Sequence, residues 1–412
     1  MFVMSMCSLI YAVPLEGYLK AAAKNNFDQR ETTAVSRQRE GELQQNWGKL
    51  LPSASITATY TRNQQSVQAN IPSGPNGETQ LLVINALNQL DANFTASVPL
   101  IDVAAWIRTA AAVSTAESSR LKMQSTGLET ERQVARAYYA LVAAESLVRS
   151  TERNQKANED SFKLQQDRQT VGLASELDVR RSNAEVQRAR QNVSDAYYSL
   201  AQARRQIETL SGLKADVSSD KLEDSLTEPS ADEATLAHLA LVQGADRDVQ
   251  SASRSKAAAW VFLVPTLTLQ GSERYTNAPG FGVNPFWSVA VKAQWTLDAA
   301  GFGTARQQAA LATVAEVRAE RTRRQAFEQL DDARELVKAN IAKSRAATAQ
   351  LESTQFATKL AKDRFVQGKA TQLDVIQAER DELDAEVGLI RVNADLKYAR
   401  ALLQLSQGRS LL

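Results

Sequence analysis

A stretch of seventeen residues written twice constrains this chain more than any other feature: KLQQDRQTVGLASELDV, Lys163 to Val179, and KLAKDRFVQGKATQLDV, Lys359 to Val375. At a constant offset of 196 residues the copies share Lys163-Leu164 with Lys359-Leu360, Asp167-Arg168 with Asp363-Arg364, and Gly172 with Gly368. They also share Ala174 with Ala370, and Leu177-Asp178-Val179 with Leu373-Asp374-Val375. Each copy lies between long charged helical patterns, and its glycine is the one residue in it that relaxes the backbone. Both stretches are therefore expected to be tips of helical hairpins. The rest of the chain then divides into two halves built on one plan.

In the first half a polar helical pattern runs from Leu15 to about Lys49 and stops at Pro52. SASITATYTR follows, in which Ala54, Ile56, Ala58 and Tyr60 alternate with Ser53, Ser55, Thr57, Thr59 and Thr61. Only a strand presents a two-residue period as two faces. Gln64 to Leu90, with Pro72, Gly74, Pro75 and Gly77, reads as a long loop. A second strand, Asn93 to Leu100, sets Phe94, Ala96 and Val98 against Asn93, Thr95 and Ser97. After Asp102 a helical pattern continues to the first tip with Gly127 as its single internal glycine. About 65 residues at 1.5 Å each give a rod on the order of 100 Å, more than a compact soluble domain needs. The return carries a seam of Val186, Val193, Leu200 and Ile207, interleaved with Ala189, Ala196, Ala203 and Leu210, and ends at Ser211-Gly212.

Leu213 to Asp232 is acidic and loses all periodicity, which makes it the connection between the halves. Helical pattern resumes from Glu233 to about Phe262 and breaks at Pro265. TLTLQGSERYT then alternates Leu267 and Leu269 with Thr266, Thr268 and Gln270, and a turn-rich NAPGFGVNPF leads into WSVAVKAQWTLD. There Trp287, Val289, Val291, Ala293, Trp295 and Leu297 share one face. Asp298 stands where Asp102 stood, at the same offset of 196. A long helix from about Thr304 reaches the second tip, and its return carries Leu389, Leu396 and Leu403 with Ala385, Val392 and Ala399. The resulting plan is a signal-like segment 1–13, a first repeat 14–213 with strands in 52–100 and a tip at 168–178, a connection 214–232, and a second repeat 233–412 with strands in 265–297 and a tip at 364–374.

Composition excludes several functions. With 48 basic and 47 acidic residues the formal charge is +1, so no global field attracts nucleic acid or an anionic membrane. Cys7 and His238 are the sole cysteine and histidine, which rules out an internal disulfide and a Cys/His metal cluster. There is no phosphate-binding glycine loop and no nucleophile motif, and a lone His238 on an amphipathic helix reads as a surface or core residue. Neither an enzyme nor a cofactor protein is indicated. No stretch approaches the roughly 20 apolar residues of a membrane-spanning helix, so any crossing of a bilayer must be made by strands. The first twelve residues, MFVMSMCSLIYA, have the length of a signal-peptide core but no basic start, and a merely apolar N-terminus is the alternative. Met4-Ser5-Met6 before Cys7 is a poor context for lipid attachment.

Four strands with one apolar and one polar face have no core of their own and would aggregate in water. Apolar-out, polar-in alternation with aromatics near the ends is the pattern of a transmembrane barrel. Four strands do not close a barrel, since about eight is the practical minimum, so several chains must contribute, and three would give twelve strands. The side bearing Ile56, Tyr60, Phe94, Val98, Leu267, Leu269, Trp287, Val289, Val291 and Trp295 is expected to face lipid. A soluble or peripheral periplasmic coiled-coil scaffold or adaptor is the alternative; it accounts for the heptads and leaves the strands unexplained.

The order of strand pair, long helix, G-x-x-x-x-L-D-V tip and return helix, present twice, resembles the TolC family of outer-membrane efflux and secretion channels. The resemblance covers nearly the whole chain after its apolar start. It implies a membrane α+β fold: long α-helical hairpins forming an α-barrel, plus four transmembrane strands per chain completed as a twelve-stranded β-barrel in a homotrimer. It further implies the outer membrane of a Gram-negative bacterium with a long periplasmic extension, and an equatorial belt including Leu213 to Asp232. The exit duct of a tripartite efflux pump or type I secretion system follows, working with a periplasmic adaptor and an inner-membrane transporter; both small-molecule efflux and protein secretion fit. Val171-Gly172-Leu173 matches the family's adaptor-contact motif, whereas the second copy around Gly368 departs from it as Gln367-Gly368-Lys369. Family gates carry inward carboxylates after the second tip. Asp374 matches the first, the second falls on Gln377, and Asp178 is the repeat equivalent of Asp374. Helix capping is the alternative role for both aspartates, and the two roles are compatible.

Overall fold

The computed structural model of the chain describes residues 13–72, 79–215, 222, 224–228 and 236–412. Cys7 and the rest of 1–12, the loop residues Gly74, Pro75 and Gly77, and parts of the 214–232 connection lie outside the described residues. In chain order the elements are α1 (Leu15–Asn25), α2 (Phe27–Gly48), β1 (Ser53–Arg62), β2 (Val67–Pro72), β3 (Thr79–Asn85), β4 (Asn88–Ile101), α3 (Val103–Thr170) and α4 (Glu176–Ser211). After the connection come α5 (Ala240–Trp260), β5 (Thr266–Thr276), β6 (Phe286–Gln294), α6 (Ala299–Val366) and α7 (Gln372–Ser406). No helix among the described residues is long and apolar enough to cross a membrane. The chain forms two compact units, one of Met1–Ala34, Leu121–Gln243 and Arg321–Leu412, the other of Val35–Arg120 and Gly244–Glu320.

The first unit is held by the helical seams. Val134, Tyr138 and Leu141 of α3 pack with Ala196, Leu200, Ala203 and Ile207 of α4, and α1 adds Tyr18, Leu19 and Ala22. Alanine at alternate levels lets the backbones approach, while each fully buried Leu or Ile contributes roughly 1.5–3 kcal/mol. Val337 and Ile341 of α6 meet Leu396 and Ala399 of α7 in a smaller cluster, against which Leu226 of the connection and Leu403 pack. The single helix expected over 15–49 breaks at Asn26, whose ψ of 134° is extended. The Asn26 side chain restarts the chain as α2 by accepting from the N–H of Asp28 at 2.9 Å and of Gln29 at 3.3 Å.

The second unit contains an antiparallel sheet in the order β1-β4-β5-β6. The loop expected over 64–90 is largely strand: β2 and β3 form a separate two-stranded ribbon, and β4 begins at Asn88. Its period of two, Val67, Ala69 and Ile71, is overshadowed in sequence by the prolines and glycines around it. A second correction concerns β6, which ends at Gln294 and not at Leu297, leaving Trp295 outside the ladder. Gln294 pairs with Thr266, and the next residue of β5 would be Pro265, which has no N–H to give. Of the helix expected from Glu233, residues 233–235 lie outside the described residues; a short 3₁₀ turn follows at Leu236–His238, where His238 is exposed, and the α-helix begins at Ala240.

Candidate functional site: two capped tips and a two-faced sheet

Each tip stops one helix and starts the next by the same device. At the first, Gly172 takes φ +77°, the Leu173 N–H donates to Arg168 O at 2.8 Å, and the Gly172 N–H donates to Gln169 O at 3.0 Å. At the second, Gly368 takes φ +74°, with Lys369 N to Arg364 O at 2.8 Å and Gly368 N to Phe365 O at 3.0 Å. These paired bonds use carbonyls that the helix end leaves free, and the left-handed backbone is why glycine stands there. Ser175 then caps the start of α4 and Thr371 that of α7, each in a reciprocal capping box. Asp374 N donates to Thr371 Oγ1 at 3.3 Å, while Asp374 Oδ2 accepts from the Thr371 N–H at 2.7 Å and its hydroxyl at 2.8 Å. Asp178 and Ser175 repeat this, with Asp178 N to Ser175 Oγ at 3.2 Å and Ser175 N to Asp178 Oδ2 at 3.3 Å. The duplicated Gly and Asp are thus the two ends of one turn. Ser175 and Thr371, which differ as letters but cap alike, are what the sequence comparison missed.

Asp374 is exposed and Asp178 half-buried. The Thr371 backbone N–H, and then its hydroxyl, hold the Asp374 pKa below the ordinary carboxylate value, so the group is charged at neutral pH. Its Oδ1 has no partner among the described residues. Gln377 is exposed and donates to Asp381 Oδ1 at 2.9 Å. Asp381 stands seven residues after Asp374, about two turns on and on the same face of α7. At the first tip Val171 and Leu173 are 67% and 69% exposed. The second presents Val366 beside polar Gln367 and Lys369, the latter two joined at 3.2 Å.

The tips are tied together within the first unit. Gln165 of α3 donates to Gln372 of α7 at 2.8 Å, and both are buried. Arg380 of α7 holds Glu185 of α4 through two nitrogens, Nε at 3.0 Å. Arg168 lies 4.7 Å above the Phe365 ring. Farther along, Asp224 of the connection is clasped by Arg400, Nε reaching its two oxygens at 2.9 and 2.8 Å, with Lys397 at 3.8 Å. Burial opposes its charge, yet the Arg400 guanidinium, the Leu226 N–H and Lys397 hold its pKa below the usual value.

In the sheet, register decides which side chains share a face. Ile56 pairs with Phe94, Tyr60 with Leu90, Val98 with Leu269, Leu269 with Val291 and Gly271 with Val289. Directly paired residues point to the same side, so the apolar faces inferred strand by strand merge into one. Leu267 joins it after the register shift at Pro99, and Trp287 joins it opposite Glu273. The other face is polar: Arg274 binds Asp91 at 2.7 Å and Ser272 meets Ser288 at 2.9 Å. Among the described residues no strand pairs with the outer edges of β1 and β6. Asp102 and Asp298 start the long helices below the strands, accepting from Ala105 N at 2.8 Å and Gly301 N at 2.7 Å.

A sheet with one lipid-compatible face and two open edges, joined to paired helical hairpins with capped tips, defines the class of outer-membrane channels made of both strands and helices. The chain belongs to the outer membrane efflux protein family, whose model matches residues 18–213 and 233–409, and this places it in the outer membrane. It is 28% identical over 208 residues to the probable efflux pump outer membrane protein TtgC of Pseudomonas putida, a match covering 49% of this chain and 41% of that relative. The antibiotic efflux pump outer membrane protein ArpC of Pseudomonas putida matches to the same extent. The match thus spans less than half the length of these relatives. Among solved structures, the fold is shared with the outer membrane protein VceC of Vibrio cholerae, with a TM-score of 0.79, 15% identity and 97% of each chain covered. It is shared likewise with the Campylobacter jejuni CmeC outer membrane channel, with a TM-score of 0.81, 15% identity, and 96% and 85% covered.

Proposed function

We propose that this chain is one third of a homotrimeric exit duct, a twelve-stranded barrel in the outer membrane continued into the periplasm by the helical hairpins. The observation that carries this reading is the single apolar face running across all four strands between two open edges. Such a face needs lipid, and such edges need neighbouring copies. The duct serves a tripartite efflux pump or a type I secretion system and has no catalytic role of its own. The repeats 14–213 and 233–412 supply matching halves, with 214–232 as the belt between them. The exposed Val171, Gly172 and Leu173, with Gly368 at the second tip, are the docking points for a periplasmic adaptor, behind which an inner-membrane transporter stands. At the mouth, Asp374 supplies a ring of three carboxylates, Gln377 a neutral level after it and Asp381 a second acidic level; Asp178 remains a cap at the first tip. Alkaline carbonate washing of membranes tests the reading, because a barrel stays in the pellet. Release of the protein into the wash would support a peripheral scaffold instead.

A further inference from the structure

The first unit holds a groove of about 670 Å³ lined by residues of both helical pairs. That is within the roughly 300–1,000 Å³ of small-molecule sites. Its floor is aliphatic, with Ala140, Ala144 and Leu147 from α3 and Val387, Ile390 and Ala394 from α7. Arg136 of α3, Lys343 of α6 and Arg391 of α7 line it from three different helices, and all three are exposed. None has a carboxylate partner among the described residues. Elsewhere on the same helices comparable cations are paired, as Arg132 is with Glu129, Lys338 with Glu335 and Lys362 with Glu379. One carboxylate, Asp395, lines the groove, so three positive charges face one negative. Half-buried Tyr139 and Tyr398 add aromatic surface. The described part of the connection does not fill it. Arg345 and Arg400, which hold that segment, lie two residues from Lys343 and Tyr398, about 200° round their helices.

We propose that this groove is a binding site for small amphiphilic anions. An aromatic or alicyclic body lies on the aliphatic floor and the tyrosine rings, and a sulfonate or carboxylate head is held by Arg136, Lys343 and Arg391. An organic cation is disfavoured because Asp395 is outnumbered, and a neutral apolar compound gains nothing from the three unpaired charges. The inference rests on the geometry of one chain and stands apart from the duct reading.

The test uses the purified full chain in lipid nanodiscs, titrated with anilinonaphthalene sulfonate and, in parallel, with phenylnaphthylamine, which has the same rings and no sulfonate. After subtraction of empty nanodiscs the sulfonate should show saturable fluorescence. Replacing both Lys343→Gln and Arg391→Gln should weaken its binding roughly threefold to tenfold, as expected for two partly hydrated charges. Asp395→Asn should strengthen it by about threefold on the same scale. Phenylnaphthylamine should respond to neither change. Absence of a saturable component, as when a second copy fills the groove in the assembly, overturns the proposal. So does an unchanged titration in the double variant, or an equal response of both probes. Should the double variant elute or melt abnormally, Asp395→Asn decides alone, since an opposite or null effect there removes the charge argument.

Discussion

At the scale of single residues, Asp374 does two things with two oxygens. Oδ2 closes the capping box with Thr371, and Oδ1 is left toward solvent. Asp374→Asn keeps a side-chain acceptor for the cap and removes the charge, so cation selectivity and block by divalent ions in planar bilayers should fall strongly while the melting temperature drops only slightly. Thr371→Ala should do the reverse, costing about 1 kcal/mol of helix stability with selectivity unchanged. Because the folded pKa is depressed, the capping contribution is present above the ordinary aspartate value of about 3.9 and is lost as pH falls through the lower folded value. Divalent block should therefore persist below the ordinary aspartate value and fade only as pH falls through the lower folded one. Asp224 obeys the same sign. It is nearly buried against Arg400, and Asp224→Asn should destabilise on the order of 3 kcal/mol by leaving the guanidinium without its counter-ion. Asp224→Leu with Arg400→Met should recover most of that loss in urea unfolding, since removing both charges removes the penalty.

At the scale of elements, the sheet makes the sharpest claim. Val291 is paired with Leu269 on the apolar face, while Gln294, three residues on, points to the other side beside Thr266. Arginine at Val291 should cost about 2–4 kcal/mol if it lies at the bilayer midplane, and should lower the yield of heat-resistant assembled protein. Arginine at Gln294 should assemble normally; equal yields would remove the lipid-facing assignment. The faces were legible because alternation of Ile56 and Tyr60 with threonines has no helical equivalent. The ends were not, because ladders stop for pairwise reasons: Trp295 continues the alternation, but the position that would pair with it is Pro265, which has no N–H to give. The β2–β3 ribbon was hidden for the opposite reason, its short alternation lying among turn formers. At the tips, identity between the copies revealed Gly172, Gly368, Asp178 and Asp374, and passed over Ser175 and Thr371 because a hydroxyl cap is conserved as chemistry and not as a letter. The clasp on Asp224 left no periodic signal, since a loop anchored by one buried charge has none to give.

At the scale of the whole molecule, the number of chains follows from closure. One chain offers four strands with open edges at β1 and β6. Two chains would reach eight strands, which closes a barrel but fills its interior with side chains; twelve leaves a water-filled passage. The polar face, with its Asp91–Arg274 pair and Ser272–Ser288 contact, suits a wetted lumen better than a packed core, because buried polar groups without full partners are costly. Three copies are therefore expected, and the antiparallel order further requires that β6 of one chain pair with β1 of the next, a contact that generates a closed ring by rotation. Native mass spectrometry in a mild detergent should give three times the chain mass of 45.1 kDa, less any leader removed before assembly. Reconstituted protein should conduct ions only as that species. A stable dimer with no conductance would establish the eight-stranded closure in its place, and a monomer would mean that the open edges of the sheet are covered by something other than copies of this chain.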